Sequence, residues 1–408
     1  MKNEQKELVK ILSAAIRGRK IENIGNYKFD LVKIFDEATH HNVSELIYYN
    51  LKNEPELIKV YKEILEDYKK KTILSAINQA QHINEISKVL SKFNENKIPV
   101  IVLKGLVVRY YYPNPDLRTM SDADVLVHPE DMDRVRNMLT SIGYKEYEDS
   151  HEHGAHIIFY RGKTVIEVHW RLTNEEYYNG DTSFEKYLWE NTMKVQVGGV
   201  DTLSVGLEDL ALHLCVHMAV HLAVHGFGIR QLCDLVLLVE NKGDLIDWNL
   251  FLDKSKNAGV EKFSLVIFTI CNKLFNMEIP KEIQAVTKLE NKYVELFIED
   301  IFNNGVGGRR DSSEIFAKEI AFDLKDDANK GSNIFYKFMR LLFPPIDSMN
   351  DKYNYAKEYK VLAPIAWIHH LFQGVSNKEY SLINKIKIVT CTLTVARKRN
   401  KLMNWLEI

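Results

Sequence analysis

Two aspartates, Asp122 and Asp124, stand one residue apart at the start of a short apolar run, residues 125–127 (VLV). The β-branched and aliphatic residues of that run predict a buried strand, and on a strand residues i and i+2 point to the same face. The two carboxylates therefore project together, about 6–7 Å apart from the rise per residue. Carboxylates at that spacing can share hard divalent cations such as Mg²⁺, which leave positions open for substrate phosphates.

Two other segments have the composition of short strands, one on each side of the aspartates. Residues 99–103 (PVIVL) end at Lys104 and Gly105, where the glycine allows close backbone approach and a following helix can offer N–H groups to a triphosphate. Residues 164–170 (TVIEVHW) alternate in the manner of a strand that follows a hairpin turn. This hairpin is predicted to deliver Glu167 beside the aspartates as a third carboxylate.

Strand-like alternation is confined almost wholly to residues 99–205, and the segments on either side have helical periodicity. We therefore predict an α+β fold in three parts. A helical region at 1–95 precedes a catalytic core at 96–200, which is built on a small mixed sheet, and a helical domain follows at 201–408. The hydrophobic content of 46% is sufficient for two or three packed units.

The composition argues against several other classes of protein. A net charge of −2 does not demand a broad basic surface for nucleic acid. The four cysteines lie far apart without C-x-x-C spacing, which favours reduced, buried thiols over a disulfide framework or a zinc site. The charged start, MKNEQKELVK, is unlike a signal peptide, and no apolar run approaches the roughly 20 residues that span a bilayer. We expect a cytoplasmic protein with no membrane partner.

The segments around the acidic residues resemble the DNA polymerase β-like nucleotidyltransferase superfamily and, within it, an uncharacterised bacterial nucleotidyltransferase family. The similarity is carried by LKG at 103–105, LRTMSDADVLV at 117–127 and VIEVHWRL at 165–172. Further matches lie at 29–51, 221–238 and 341–355, so the resemblance covers most of the chain. The chain departs from the superfamily in one respect, because a long tyrosine-rich spacer separates Lys104 and Gly105 from the aspartates.

The resemblance implies a polymerase β-like core that transfers a nucleoside monophosphate from an NTP to an acceptor hydroxyl, with pyrophosphate as the leaving group. Asp122 and Asp124 are expected to bridge two Mg²⁺ or Mn²⁺ ions. Glu167 is expected to complete one metal site and to serve as general base. Because the two aspartates repel one another without a cation, replacing either by Asn is predicted to leave the metal-free protein no less stable.

Four residues are expected to bind the nucleotide: Lys104, Gly105, Arg118 and Ser121. A fixed cation suits a phosphate, and a guanidinium can engage two phosphate oxygens. The alternative for Arg118 is a structural ion pair with Asp116 or Asp122.

The acceptor is expected to be a small molecule, with RNA or protein as the other possibilities. A toxin-like enzyme that nucleotidylates tRNA or protein is a second interpretation, for which the sequence offers only the basic tail at 385–401. A catalytically idle protein that binds a nucleotide or a partner is a third interpretation. The presence of all three acids argues against it.

A segment after the core carries four histidines at four-residue intervals: His213, His217, His221 and His225. Such spacing is typical of zinc-binding helices. Each step turns the helix by about 400°, however, so the histidine stripe drifts by about 120° across the set. We therefore predict histidines that face the catalytic cleft and hold no stoichiometric zinc. The family resemblance singles out His221 and His225, with Arg230 and Asp234.

Overall fold

The computed structural model describes residues 1–21, 30–147, 155–172, 182, 185, 187–224, 226–305, 346, 349, 353–376 and 401–408. The chain forms two compact units. The first comprises Met1–Gly308 together with Trp405–Ile408, and the second comprises Arg309–Asn404. Every residue predicted for the catalytic site belongs to the first unit.

The first unit contains a mixed sheet. Its strands are β1 (Ile101–Val102), β2 (Ala123–Leu126), β3 (Lys145–Glu146), β4 (His156–Arg161), β5 (Thr164–His169), β6 (Thr192–Val197) and β7 (Val200–Val205). They are ordered β3-β4-β5-β2-β1-β7-β6 across the sheet. β2 runs parallel to β5 and β1 runs parallel to β7, whereas the other neighbours are antiparallel. A mixed sheet between helical segments confirms the predicted fold class.

The predicted hairpin is formed by β4 and β5. Its two-residue turn begins with Gly162 at φ +61°, a backbone conformation that glycine adopts without the steric cost of a side chain. The turn fixes the register of the two strands. As a result, Ile158 lies opposite Glu167, and His156 lies opposite His169.

Four helices precede the sheet: α1 (Asn3–Ala15), α2 (Leu31–His40), α3 (Ser44–Leu51) and α4 (Pro55–Glu95). The side chain of Asp30 begins α2 by accepting hydrogen bonds from the N–H groups of its first turn. In α4, Tyr61 interrupts the helical backbone. The C-terminal half of α4 is the more buried part, and α4 contacts β5, β6 and β7.

Two short helices, α5 (Gly105–Val108) and α6 (Met132–Ser141), lie between strands in the chain. In the described part of the first unit, the sheet is followed by α7 (Leu207–Val224), α8 (Ile229–Lys242), α9 (Trp248–Asn257), α10 (Glu261–Phe275), α11 (Lys281–Val286) and α12 (Asn291–Asn304). α7 packs against α8, α9 and α10, and α1 also packs against α10. The division of the chain at residues 95 and 200 stays a prediction.

The second unit contains α13 (Asn354–Glu358) and α14 (Ala363–Ser376). A small apolar cluster of Met349, Tyr353, Ala356 and Ala366 is buried within it. Of the basic tail at 385–401, the structure describes Lys401 alone.

Cys215, Cys233 and Cys271 are buried free thiols, as predicted, and Cys391 lies outside the described residues. Within the described ranges, no helix combines the length and the apolar character needed to cross a membrane.

Candidate active site

The three predicted carboxylates lie on one face of two adjacent parallel strands. Asp124 of β2 is the register partner of Glu167 of β5, and Asp122 lies immediately before β2. Register partners on parallel strands point to the same face of the sheet. Burial, followed by the charges of Asp124 and Glu167, raises the pKa of Asp122 to about 6. The fold therefore brings the three acids close enough for their charges to interact.

Asp124 has two cationic or protonatable neighbours inside the protein. Its Oδ1 atom lies 3.0 Å from Nζ of Lys104 and 3.1 Å from Nε2 of His169. Burial alone would raise the pKa of Asp124, but Lys104 and His169 outweigh burial and hold it well below its ordinary value. Asp124 is therefore an anion at neutral pH. Lys104, predicted as a triphosphate contact, pairs with this carboxylate in the structure.

Two histidines that were not predicted as ligands lie beside the acids. Nε2 of His169 is 3.5 Å from Oε2 of Glu167, and Nε2 of His156 is 3.8 Å from the same oxygen. One ligand atom from each of His156, Glu167 and His169 lies within 4.8 Å of the other two. The hairpin register is the signal that could have revealed His156, because it places this residue opposite His169.

This donor set fits a divalent metal ion. Carboxylate oxygens suit Mg²⁺ or Mn²⁺, and imidazole nitrogens suit first-row transition ions better than they suit Mg²⁺. Burial and, after it, the charges of Asp124 and Glu167 raise the pKa of Asp122, and a bound cation would relieve the repulsion among the acids. Nδ1 of His169 is buried and has no hydrogen-bond partner among the described residues.

The turn from β1 into α5 has an unusual backbone. Lys104 adopts φ +40° and ψ −111°, which for a non-glycine residue costs on the order of 1–3 kcal/mol. Gly105 follows, and a Cβ atom at this position would lie 2.4 Å from Nη1 of Arg118 and 2.6 Å from Sδ of Met120. Close packing against these two side chains therefore requires glycine at position 105.

Arg118 is buried beside α5 and forms an ion pair with Asp234 of α8. Its Nη2 and Nε atoms donate to the two carboxylate oxygens at 2.6 and 3.2 Å, and the hydroxyl of Tyr112 donates to the same carboxylate at 2.8 Å. Burial alone would lower the pKa of the guanidinium, but Asp234 raises it. Asp116 pairs instead with Arg109, at 2.7 Å. The ion-pair partner of Arg118 is thus neither of the two acids considered from the sequence.

The remaining predicted nucleotide contact is Ser121, which is exposed next to the acids. Its hydroxyl donates to Oδ1 of Asp122 at 3.1 Å. The predicted nucleotide contacts thus lie near the acids. Ser121 is next to Asp122, Lys104 is next to Asp124, and Nη1 of Arg118 lies beside the turn at Gly105.

The histidine helix α7 lies close to this cluster. Burial, followed by the charge of Lys104, lowers the pKa of both His213 and His217 well below its ordinary value, so both are neutral at pH 7. Asp124 also interacts electrostatically with His217. Nε2 of His217 lies 3.1 Å from Nε2 of His221, and His225 lies outside the described residues. The absence of stoichiometric zinc stays a prediction, which elemental analysis would test.

The class of protein follows from comparison with known families. A family described as uncharacterised nucleotidyltransferases matches residues 27–276, which is more than half of the 408 residues. The chain therefore belongs to this family, as the sequence resemblance predicted.

Comparison with solved structures gives a weaker likeness. A structure titled as the solution structure of the antibiotic-resistance factor ANT(2'')-Ia is 12% identical, with a TM-score of 0.33. The match covers 44% of this chain and 95% of that one. A likeness at this level supports no conclusion about the site or the substrate. No protein with curated annotation matches the chain.

Proposed function

We propose that this protein transfers a nucleoside monophosphate from an NTP to an acceptor hydroxyl, in a reaction that depends on a divalent metal ion. The observation that supports the proposal is the parallel pairing of Asp124 with Glu167, and Asp122 stands two residues before Asp124. Membership of a nucleotidyltransferase family supports the reaction class. We also propose that the acceptor is a small molecule, that the metal ion is Mg²⁺ or Mn²⁺ and that the protein acts in the cytoplasm.

Asp122, Asp124 and Glu167 would hold the metal ions, with His169 and His156 as nitrogen donors at the edge of the cluster. When bound, two such ions would lower the pKa of the acceptor hydroxyl and neutralise the triphosphate. The sheet supplies the geometry, because the strand register fixes the relative positions of the acids before any ligand arrives.

The protein's own groups can hold and move a proton. Nε2 of His169 lies between Asp124 and Glu167, at 3.1 and 3.5 Å from their oxygens. Burial lowers the pKa of His169, but hydrogen bonds to the two acids raise it above its ordinary value. We assign Glu167 as the base that accepts the acceptor's proton, and Nε2 of His169 orients its carboxylate until a metal ion binds.

Lys104 has a second role in this proposal. Its ammonium neutralises Asp124 in the absence of a ligand, at 3.0 Å. A nucleotide triphosphate offers the same ammonium a stronger set of anionic oxygens. Lys104 therefore moves from Asp124 to the triphosphate when the nucleotide binds, and this frees the carboxylate.

The test is transfer of label from NTPs labelled at the α-phosphate, with Mg²⁺ or Mn²⁺, to fractionated cell extract. We expect label on an acceptor with the wild-type protein and none with Asp124→Asn. Asp133→Asn is the matched control, because the Asp133 side chain is 91% exposed on α6, away from the cluster, and this variant should transfer normally.

The fraction that carries label distinguishes a small molecule from RNA or protein as the acceptor. Tight binding of NTP without any label would contradict the proposal and would favour a catalytically idle binder.

A further inference from the structure

A cavity of about 270 Å³ opens beside the acidic cluster. It is lined by the corner between α2 and α3, with Thr39, Asn42, Ser44 and Glu45, and by residues 119–121 and Arg230 of α8. Ser121 links the cavity to the acids, since its hydroxyl donates to Asp122 at 3.1 Å. A ligand in the cavity would therefore lie next to Asp122.

The wall at residues 119–121 is held in place before any ligand binds. The side-chain amide of Gln79 on α4 accepts from the N–H of Met120 at 3.0 Å and donates to its carbonyl at 2.9 Å. Nη1 of Arg230 donates to the carbonyl of Thr119 at 2.6 Å. Hydrogen bonds from two helices thus fix this segment, and a preformed wall reduces the entropy cost of binding.

Arg230 lines the cavity, and its charge is not balanced by an ion pair with any residue that the structure describes. Among the described residues, no carboxylate lies within salt-bridge distance of Arg230, and its Nε atom is buried without a hydrogen-bond partner. Asp234, the nearest acid on the same helix, is already engaged by Arg118 and Tyr112. Burial and the charge of Arg118 lower the pKa of Arg230. An anion bound at Arg230 would relieve this unfavourable burial of positive charge.

The other groups in the cavity suit hydroxyls. Oε2 of Glu45 accepts from the hydroxyl of Ser44 at 3.1 Å, and the side chains of Thr39, Asn42 and Thr119 add further donors and acceptors. A volume of about 270 Å³ corresponds to roughly nine water molecules at about 30 Å³ each. That space fits a molecule of monosaccharide size.

We propose that this cavity binds the acceptor, a small polyhydroxylated molecule with one anionic group, a carboxylate or a phosphate, which contacts Arg230. In this arrangement a hydroxyl of the ligand points past Ser121 toward Asp122. The ligand's role as acceptor rests on the proposed function. The binding of the ligand in the cavity does not depend on the proposed function, so the two claims can fail separately.

The binding test uses four probes of similar size with no nucleotide and no metal: glucose, glucosamine, glucuronate and glucose 6-phosphate. Titration calorimetry on the full-length protein should show that the two anionic probes bind about tenfold or more tightly than glucose and glucosamine, as one hydrogen bond to a charged group implies. The comparison of glucuronate with glucose 6-phosphate tells which anion is preferred. Equal binding of all four probes, preference for glucosamine, or no binding would overturn the proposal.

Two variants assign the binding to this cavity. Arg230→Gln should abolish the preference for anionic probes. Asn42→Gly removes a cavity side chain at a position with φ +53°, where glycine keeps the backbone conformation, and it should weaken binding severalfold. Asn276→Gly is the matched control, because Asn276 has φ +55° at the end of α10 and does not line the cavity. Unchanged probe binding in both cavity variants would overturn the assignment.

A parallel assay separates this proposal from the proposed function. The anionic probe that binds is mixed with metal and labelled NTP. Transfer of label to this probe supports both claims. Binding at the cavity without any transfer to any acceptor contradicts the proposed function alone. Transfer to RNA or protein that Arg230→Gln and Asn42→Gly leave intact contradicts the acceptor proposal alone.

Discussion

Asp122 and Asp124 share one face of the sheet but differ in their electrostatic surroundings. Asp124 lies between Lys104 and His169, whereas the charged groups that act most strongly on Asp122 are the two other acids. The shared face follows from strand periodicity and was predictable from the sequence. The asymmetry depends on Lys104 and His169, which are 20 and 45 residues away from Asp124 and are placed by tertiary structure.

This asymmetry changes the expectation for the two Asn variants. The pKa of Asp122 is raised from 3.8 to about 6, so the folded state binds this proton more tightly than the unfolded state. The contribution of Asp122 to stability is present below about pH 4 and is lost as the pH rises through about 6. Metal-free Asp122→Asn should therefore be more stable than the wild type at pH 8, by about 1–3 kcal/mol, and the difference should shrink toward pH 5.

Asp124→Asn should behave in the opposite way. Its pKa is lowered on folding, so its carboxylate stabilises the folded protein above its unfolded pKa, and Asn leaves Lys104 without its anion. We expect this variant to be less stable than the wild type at pH 8, and urea unfolding in EDTA from pH 5 to 8 measures both effects. Equal shifts for the two variants would contradict the assigned asymmetry.

Gly105 packs closely against two side chains, so we expect a larger residue at this position to destabilise the protein. Gly105→Ala would place a methyl group against Arg118 and Met120, and Arg118 is fixed by Asp234. We expect a loss of about 1–3 kcal/mol in the free energy of unfolding, the usual cost of overpacking. Gly243→Ala is the control, because its Cβ would meet neighbours at 3.6 Å or more. Denaturant unfolding of both variants tests whether packing requires the glycine.

The β4–β5 hairpin shows what strand patterns can and cannot predict. Alternation in residues 164–170 predicted the face of Glu167, because side-chain direction is local. The position of His156 required the register, which the turn at Gly162 sets. The parallel pairing with β2 joins segments about 40 residues apart, and no local pattern specifies it.

For the tyrosine-rich spacer after α5, as for the hairpin, the sequence shows the local feature but not the contacts it makes in the fold. Its length was visible in the sequence as a departure from the superfamily. The role of Tyr112 was not visible in the sequence, because its hydroxyl donates to Asp234, 122 residues further along the chain. The spacer thus ties the loop before β2 to α8.

The histidines of the hairpin lead to a prediction about metal preference. If His156 and His169 supply nitrogen donors, His156→Ala should weaken Mn²⁺ binding by about tenfold. Mg²⁺ affinity should change much less, since Mg²⁺ prefers oxygen ligands. His40→Ala, an exposed change at the end of α2, is the control. Mn²⁺ titration followed by electron paramagnetic resonance measures the effect, and equal losses for both metals would exclude nitrogen ligation.

At the scale of the whole molecule, three parts of the chain meet around one site. The α2–α3 corner, the sheet and α8 all contribute side chains to the acids or to the cavity beside them. The family match at 27–276 includes each of these elements. Local periodicity predicted helices on both sides of a small sheet. It could not predict that Asn42 and Arg230 would line the same cavity, because that depends on packing between distant helices.

The proposed function depends on a metal-dependent nucleotide site at Asp122 and Asp124. The most direct measurement is the dissociation constant of an NTP, with and without Mg²⁺ or Mn²⁺, for the wild type, Asp122→Asn, Asp124→Asn and Glu167→Gln. We predict binding that requires the metal in the wild type and is lost in both aspartate variants. Glu167→Gln should still bind the nucleotide, while its transfer activity falls by a factor on the order of 10²–10⁴. NTP binding that is independent of the metal and unchanged in both aspartate variants would contradict the account.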